Sequence, residues 1–103
     1  MERIQKLQEY LQASPGDSFL KHALALEYIK IGEDILARQQ FEEILSAEPG
    51  YVGSYYHLAK LLERINEIPL AISCYEKGMV AARNAGDDHS FGELRSALEE
   101  LTF

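Results

Sequence analysis

The chain repeats itself with a period of 34 residues, and this period constrains its fold more than any other feature. Between residues 15–48 and 49–82 ten positions are identical, among them Pro15-Gly16 with Pro49-Gly50, Leu24-Ala25 with Leu58-Ala59, and Leu36-Ala37 with Leu70-Ala71. Roughly two identities would be expected by chance in a window of this composition. A short repeated unit cannot bury its apolar face alone, so neighbouring units have to stack. The period therefore predicts an array of similar units.

Each unit has the apolar spacing of two helices. The first helix is expected over 18–31, with Asp17 as its N-cap and Gly32 ending it. The second is expected from Glu33 or Asp34 to Ser46. Its predicted inward side chains are Ile35, Leu36, Phe41, Ile44 and Leu45. The corresponding helices of the next unit cover about 52–65 and 67–83, with Pro69 tolerated in a first turn.

A single helix is predicted on either side of the two units. The first covers Glu2 to Ala13, with Ile4, Leu7, Tyr10 and Leu11 on one face. The last follows Gly86-Asp87-Asp88 and runs to about Leu101, with Phe91, Leu94, Ala97, Leu98 and Leu101 inward. Residues 90–93 match a capping box at its start. The fold class is thus all-α, an antiparallel helix-pair array of about six helices.

The charge balance limits the classes of partner. Ten basic residues stand against seventeen acidic ones, for a net charge of -7 that is spread over both halves of the chain. Nucleic acids and anionic membranes bind mainly through basic side chains, so neither is expected as a partner. The single cysteine, Cys74, cannot form an internal disulfide, and no signal peptide or long apolar run is visible. These features favour a cytoplasmic location.

The repeated units resemble the tetratricopeptide repeat, a helix-turn-helix unit of 34 residues. The family pattern is Leu with a small residue, then an aromatic residue, Ala, a second aromatic residue and Pro. The first unit matches this pattern with Leu24-Ala25, Tyr28, Ala37, Phe41 and Pro49. The second unit matches it with Tyr55, Leu58-Ala59, Leu62, Ala71 and Tyr75. The first unit departs from the pattern at Lys21, where Trp is usual, and the second unit departs from it at Arg83, where Pro is usual.

The resemblance implies an α-α superhelix of the small bacterial type in a single domain over 1–103. Repeat one is expected over 18–51 and repeat two over 52–85. The helix within 1–14 resembles half of a preceding repeat, and 88–102 resembles the helix that caps such arrays. The alanines of the pattern are expected where paired helices cross closely, and Tyr10, Tyr28, Tyr55 and Tyr75 are expected in the core.

In this family the leading helix of each repeat lines a concave groove in which peptides bind. The resemblance therefore implies a non-enzymatic adaptor or scaffold that binds a peptide or helix of a partner protein. The implied groove residues are Phe19, His22, Leu26, Ile29, Lys30, Tyr56, His57, Lys60 and Arg64. Two questions stay open. The apolar residues of the first leading helix either form a pocket or lie beneath the N-terminal helix. The basic ones either take a partner's carboxylates or pair with Glu27, Glu63 and Glu67.

Other functions were weighed against this one. Family members that hold chaperone C-termini use a clamp of Lys, Asn and Arg, but His22, Leu26 and His57 occupy three of its positions here, so chaperone-tail binding is not expected. Self-association, as a weak homodimer or a structural scaffold, is the main alternative. A reactive Cys74–His57 pair and a metal site at residues 87–89 are less favoured than a buried thiol and a helix cap. No catalytic residue, metal or cofactor is expected.

Overall fold

The structure, a computed structural model, describes residues 2–103. These residues form helices and no strand, which confirms the all-α class. The helices are α1 (Glu2–Ala13), α2 (Ser18–Lys30), α3 (Asp34–Ala47), α4 (Gly53–Arg64), α5 (Ile68–Ala85) and α6 (Asp88–Thr102). The chain divides into two compact units, Met1–Glu48 and Pro49–Phe103. No helix within 2–103 has both the length and the apolar character needed to cross a bilayer.

In the first unit, α2 packs against both α1 and α3. Ala25 and Ala37 are completely buried, as expected for small residues that let two helices approach closely. Larger side chains fill the space around these alanines. The buried apolar residues of this unit are Ile4, Leu7, Leu24, Ala25, Tyr28, Ala37, Phe41 and Ile44.

In the second unit, α5 packs against both α4 and α6. Gly78 lies at the centre of α5, and a Cβ atom built there would be 2.7 Å from Tyr55 Cβ and 3.1 Å from Leu94 Cδ1. The glycine therefore leaves room for side chains from both neighbouring helices. The other buried apolar residues are Tyr55, Leu58, Ala59, Leu61, Leu62, Ala71, Cys74, Tyr75, Ala81, Ala82, Leu94 and Ala97.

Three helices end in the same way. The chain leaves α2, α4 and α5 through a residue with left-handed backbone, namely Gly32 (φ 78°), Asn66 (φ 63°) and Gly86 (φ 69°). The next amide then donates back across the last turn, in bonds from Glu33 to Tyr28, from Glu67 to Leu62 and from Asp87 to Ala82. This Schellman arrangement satisfies carbonyls that the helix itself leaves without a partner. Gly32 as the predicted end of the first leading helix is confirmed.

Asp17 is the N-cap of α2, as predicted, because its Oδ1 accepts from the Leu20 amide at 3.1 Å. The predicted capping box at 90–93 is wrong. The N-cap of α6 is Asp87, whose carboxylate accepts from the Ser90 amide at 3.0 Å and from Ser90 Oγ at 2.7 Å. These bonds hold the pKa of Asp87 below its usual range. Because Asp87 directly follows the turn residue Gly86, the helix begins one turn earlier than the capping box implies.

Three residues expected inward are exposed instead. Ile35 is 75% exposed and Leu36 is 37% exposed. The buried stripe of α3 follows Ala37, Phe41 and Ile44, and Ile35 lies about 200° around the helix from Ala37. In α1, Ile4 and Leu7 are buried and Leu11 is half-buried, whereas Tyr10 is 56% exposed. The predicted core position of Tyr10 is thus wrong, because Tyr10 lies about 100° around the helix from Leu11.

Candidate functional site

The first set of candidate residues lies on α2, in the first unit. Phe19 is 72% exposed, so α1 does not cover it. Leu26 and Ile29 are half-buried, and Lys30 is exposed at the end of the helix. Residues spaced three or four apart share one face of a helix, which places Phe19, Leu26 and Ile29 in a single row. The open question about the N-terminal helix is therefore answered for Phe19, which faces solvent.

His22 lies in the same row and is half-buried. Its ring meets the ring of Phe41 edge-on, with centroids 5.6 Å apart and planes at 70°. Phe41 is completely buried in α3, so this contact ties the imidazole to the core of the first unit.

An ionic cluster lies beside this row. Glu27 Oε2 accepts from Lys30 Nζ at 2.9 Å and pairs with Arg3 Nε of α1 at 3.3 Å. The hydrogen bond from Lys30, together with the charges of Lys30 and Arg3, holds the pKa of Glu27 below its usual range. Lys30 therefore has an acidic partner within its own helix. This agrees with the alternative that the basic residues pair with nearby glutamates rather than with a partner's carboxylates.

The second set of candidate residues lies on α4, in the second unit. The rings of Tyr56 and His57 meet edge-on, with centroids 5.8 Å apart. Lys60 Nζ lies 5.7 Å from the centroid of the Tyr56 ring and 3.7 Å from Glu63 Oε2. The ammonium group is thus held by both an aromatic face and a carboxylate. Arg64 is exposed at the last turn of α4.

One hydrogen bond and one charge from other helices act on the α4 residues. The Tyr75 hydroxyl of α5 donates to Glu63, and burial, followed by this bond, raises the pKa of Tyr75. Burial lowers the pKa of His57, while the charge of Glu93 on α6 opposes the shift. Neither interaction was predicted from the sequence. The Tyr75–Glu63 bond did leave a signal there, because the 34-residue offset aligns Glu63 with Ile29 and Tyr75 with Phe41, so two apolar positions become polar together.

The residues considered for catalysis have structural contacts. Cys74 is buried, and its thiol donates to the Tyr55 carbonyl at 3.4 Å. Asp87 caps α6. Within residues 2–103 no group of three or more His, Cys, Asp or Glu side chains is placed to hold a metal ion. The candidate site consists of a row of apolar and aromatic side chains on α2 and the Tyr56–His57 ring pair on α4. Lys30 and Lys60 lie beside them and are already paired with Glu27 and Glu63.

No family model matches the chain. A tetratricopeptide repeat domain protein from Salinibacter ruber, whose structure was determined in solution, is 39% identical to it. That match covers 84% of this chain and 88% of the other, with a TM-score of 0.81. The chain belongs to the tetratricopeptide repeat family.

More distant tetratricopeptide structures share the fold. The TPR2B domain of yeast Sti1, solved as a complex with pHsp70, has a TM-score of 0.89 over 96% of this chain and 79% of that one, at 14% identity. Among curated proteins, human aspartyl/asparaginyl beta-hydroxylase is 31% identical over 85 residues. That match covers 82% of this chain but 11% of the human protein. The chain thus spans about a tenth of the curated relatives that it matches.

Proposed function

We propose that this tetratricopeptide repeat protein is a non-enzymatic protein-interaction module, and that the groove-lining faces of α2 and α4 bind a peptide or helix of a partner protein. The observation that carries the proposal is the exposure of apolar side chains along the leading helix α2. Phe19 is 72% exposed, in a row with the half-buried Leu26 and Ile29. Large apolar side chains grouped on a surface are typical of interaction sites.

The face of α4 supports the same function with different chemistry. Tyr56 is half-buried and presents its ring beside His57 and Lys60. Tyrosine is enriched at protein interfaces because its ring adds contact area and its hydroxyl can form hydrogen bonds. The likeness to the Sti1 domain that was solved with pHsp70 supports a protein or peptide as the ligand. Neither a nucleic acid nor a membrane is part of the proposal.

The division of the chain into repeats belongs to the same proposal. Repeats over 18–51 and 52–85, within one domain that covers 1–103, would give each leading helix an equivalent position. The helix within 1–14 and the helix over 88–102 would then close the two ends. We also propose a cytoplasmic location.

Capture of a partner from a lysate of the native host tests this function. The double variant Leu26→Glu with Tyr56→Ala should lose the captured protein, because it places a charge in the α2 row and removes the aromatic surface of α4. Its helicity should match that of the unmodified chain by circular dichroism. Ile35→Glu is a matched control, since Ile35 is exposed on α3 and belongs to neither candidate face. Undiminished capture by the folded double variant would refute the assignment of these faces.

Self-association is a second candidate, and a specific observation favours it. Apolar side chains are exposed outside the candidate faces as well, with Ile35 at 75%, Val80 at 59% and Leu70 at 45%. If these residues join two copies of the chain, sedimentation equilibrium should show a dimer that Ile35→Glu or Val80→Glu disrupts. A monomer from micromolar to millimolar concentration would exclude this alternative.

A further inference from the structure

The row on α2 has a defined length and chemistry. We define the α2 stripe as Phe19, His22, Leu26 and Ile29, which follow one another at intervals of three, four and three residues. Ten residues of helix rise about 15 Å, so the stripe matches two to three turns of a helix laid along it. Its members are a strongly exposed aromatic ring, a half-buried imidazole and two half-buried aliphatic side chains.

The cations next to the stripe are already bound by a carboxylate. Lys30 Nζ lies 2.9 Å from Glu27 Oε2, and Arg3 Nε lies 3.3 Å from the same oxygen. Glu27 is only 16% exposed, so its carboxylate is held in place between them. A ligand carboxylate would have to displace Glu27 from Lys30, and the displaced charge would stay nearby and repel it. Lys30 and Arg3 therefore offer a ligand carboxylate little net attraction.

The charge of the surrounding unit points the same way. Residues 1–48 contain nine acidic side chains and five basic ones. A surface with this excess repels acidic segments and attracts basic ones, which affects both the rate of encounter and the choice of partner.

We infer that the α2 stripe binds an amphipathic segment of a partner protein whose anchor side chains are apolar, and whose flanking residues are basic or neutral and never acidic. The inference rests on the proposed function and specifies the chemistry of its partner. It excludes two other occupants, an acidic C-terminal tail and a second copy of this chain. The second copy is disfavoured because each copy has a net charge of -7.

Selection from a displayed library of random 12-residue peptides, with the intact chain as bait, tests the inference. The selected peptides should share large apolar residues at intervals of three or four and should lack Asp and Glu beside them. A synthetic peptide with the consensus sequence then serves as the probe for affinity measurements. Binding that is confined to peptides rich in Asp and Glu, or that requires a free terminal carboxylate, would overturn the inference.

Three single variants locate the bound peptide. Phe19→Ala should weaken binding at least tenfold, because large aromatic anchors dominate such interfaces. Ile35→Ala is the matched control, since Ile35 is 75% exposed in the same unit and Phe19 is 72% exposed. It should change the affinity less than threefold. Lys30→Met keeps the aliphatic stem but removes the charge, and it should also change the affinity less than threefold.

The outcomes separate this inference from the proposed function. A tenfold loss with Lys30→Met and none with Phe19→Ala would refute the inference but keep α2 as a binding face. If no peptide is selected, or if substitutions on α2 and α4 leave its affinity unchanged, both are refuted. A dimer of the free chain that Phe19→Ala dissociates would show that a second copy occupies the stripe, which also overturns the inference.

Discussion

The α2–α3 and α4–α5 pairs use the same small residues where their helices cross but fill the remaining space differently. Ile44 in α3 is completely buried, whereas the equivalent position of α5 is Gly78. The space of the missing side chain is taken by Tyr55 and Leu94, which lie about 3 Å from where a Cβ atom on Gly78 would be. Lys21 occupies the position of Tyr55 in the first repeat. A bulky residue on one helix thus accompanies a small one on the other.

A second pair of positions differs in polarity rather than in size. The first repeat has Ile29 on its leading helix and Phe41 on the following one, and the second repeat has Glu63 and Tyr75. The Tyr75 hydroxyl donates to Glu63, so the second repeat adds a donor and its acceptor together. A buried hydroxyl without an acceptor is unfavourable by about 1–3 kcal/mol. The comparison shows that the helix-pair frame tolerates large changes when both members of a contact change.

The largest effect is expected at the buried isoleucine of the first repeat. Ile44→Ala should lower the free energy of unfolding by about 2–4 kcal/mol, because it leaves a cavity in a fully packed site. Urea denaturation followed by circular dichroism measures the change. Ile35→Ala on the same helix is the control and should change stability by less than about 0.5 kcal/mol, since Ile35 is 75% exposed. A loss below about 1 kcal/mol for Ile44→Ala would show that the site collapses around the smaller side chain.

At the equivalent position of the second repeat, Gly78, we expect added volume rather than lost volume to destabilise the protein. Gly78→Ala is expected to destabilise the protein by about 1–3 kcal/mol, because the new methyl group would lie 2.7 Å from Tyr55 Cβ. Gly92→Ala is the matched control. Gly92 lies within α6 with no atom within 4 Å of an added Cβ, so alanine there should stabilise the helix by about 0.5–1 kcal/mol. If Gly78→Ala also stabilises the protein, Tyr55 and Leu94 do not pack against Gly78 as closely as described.

The turn within each repeat provides a smaller contrast. Gly32→Ala should lower the free energy of unfolding by about 1 kcal/mol, because alanine is strained at a φ of 78°. Asn66→Gly at the equivalent turn should change stability by less than about 0.5 kcal/mol, since asparagine already tolerates a φ of 63°. Thermal denaturation of both variants measures the difference between the two turns. A loss of about 1 kcal/mol for Asn66→Gly as well would contradict the expectation that asparagine and glycine are interchangeable at this turn.

The smallest effect is expected from the histidine of the second repeat. Burial lowers the pKa of His57, so the unfolded chain binds a proton more readily than the folded one. Stability should therefore be full above the unfolded pKa of about 6.5 and should decrease as the pH falls through the folded value. Comparing urea melts at several pH values with those of His57→Gln isolates this contribution.

An NMR titration of the imidazole checks the cause. Glu93→Gln should lower the pKa of His57 further, because it removes the charge that opposes the shift. A pKa of His57 at or above the ordinary value in the unmodified protein would contradict both the burial and the predicted pH dependence.

Local sequence signals were sufficient for most of the helical frame. The N-cap at Asp17 and the end of α2 at Gly32 were predicted, because capping depends on residues a few positions apart. The start of α6 at residue 88 and a cap at residues 87–89 were also predicted, but a second cap at Ser90 was predicted beside them, since Ser90 with Glu93 and Asp87 with Ser90 both have the spacing of a cap. Backbone geometry at Gly86 decides between them.

The candidate site was less accessible to sequence reasoning. The candidate residues on α2 and α4 could be proposed from the resemblance to the tetratricopeptide repeat. The interactions that define their chemistry could not, because Arg3 pairs with Glu27 of another helix and the charge of Glu93 on α6 acts on His57 of α4. The exposure of Ile35 was also missed, since an apolar residue in an amphipathic helix shows no difference in sequence between a core position and a surface one.

The sequence by itself determined that this chain forms paired helices with a 34-residue period, because periodicity, caps and small residues act over one or two turns or recur at a fixed offset. Tertiary structure decided which apolar residues stay in solvent and which charges are already paired. Phe19 and Ile35 are equally apolar in the sequence, and the sequence left open whether Lys30 binds a partner's carboxylate or pairs with Glu27. Only the packed structure shows that Phe19 is exposed and that Arg3 of α1 joins Lys30 at the Glu27 carboxylate, because burial and contacts between helices depend on residues that are distant along the chain.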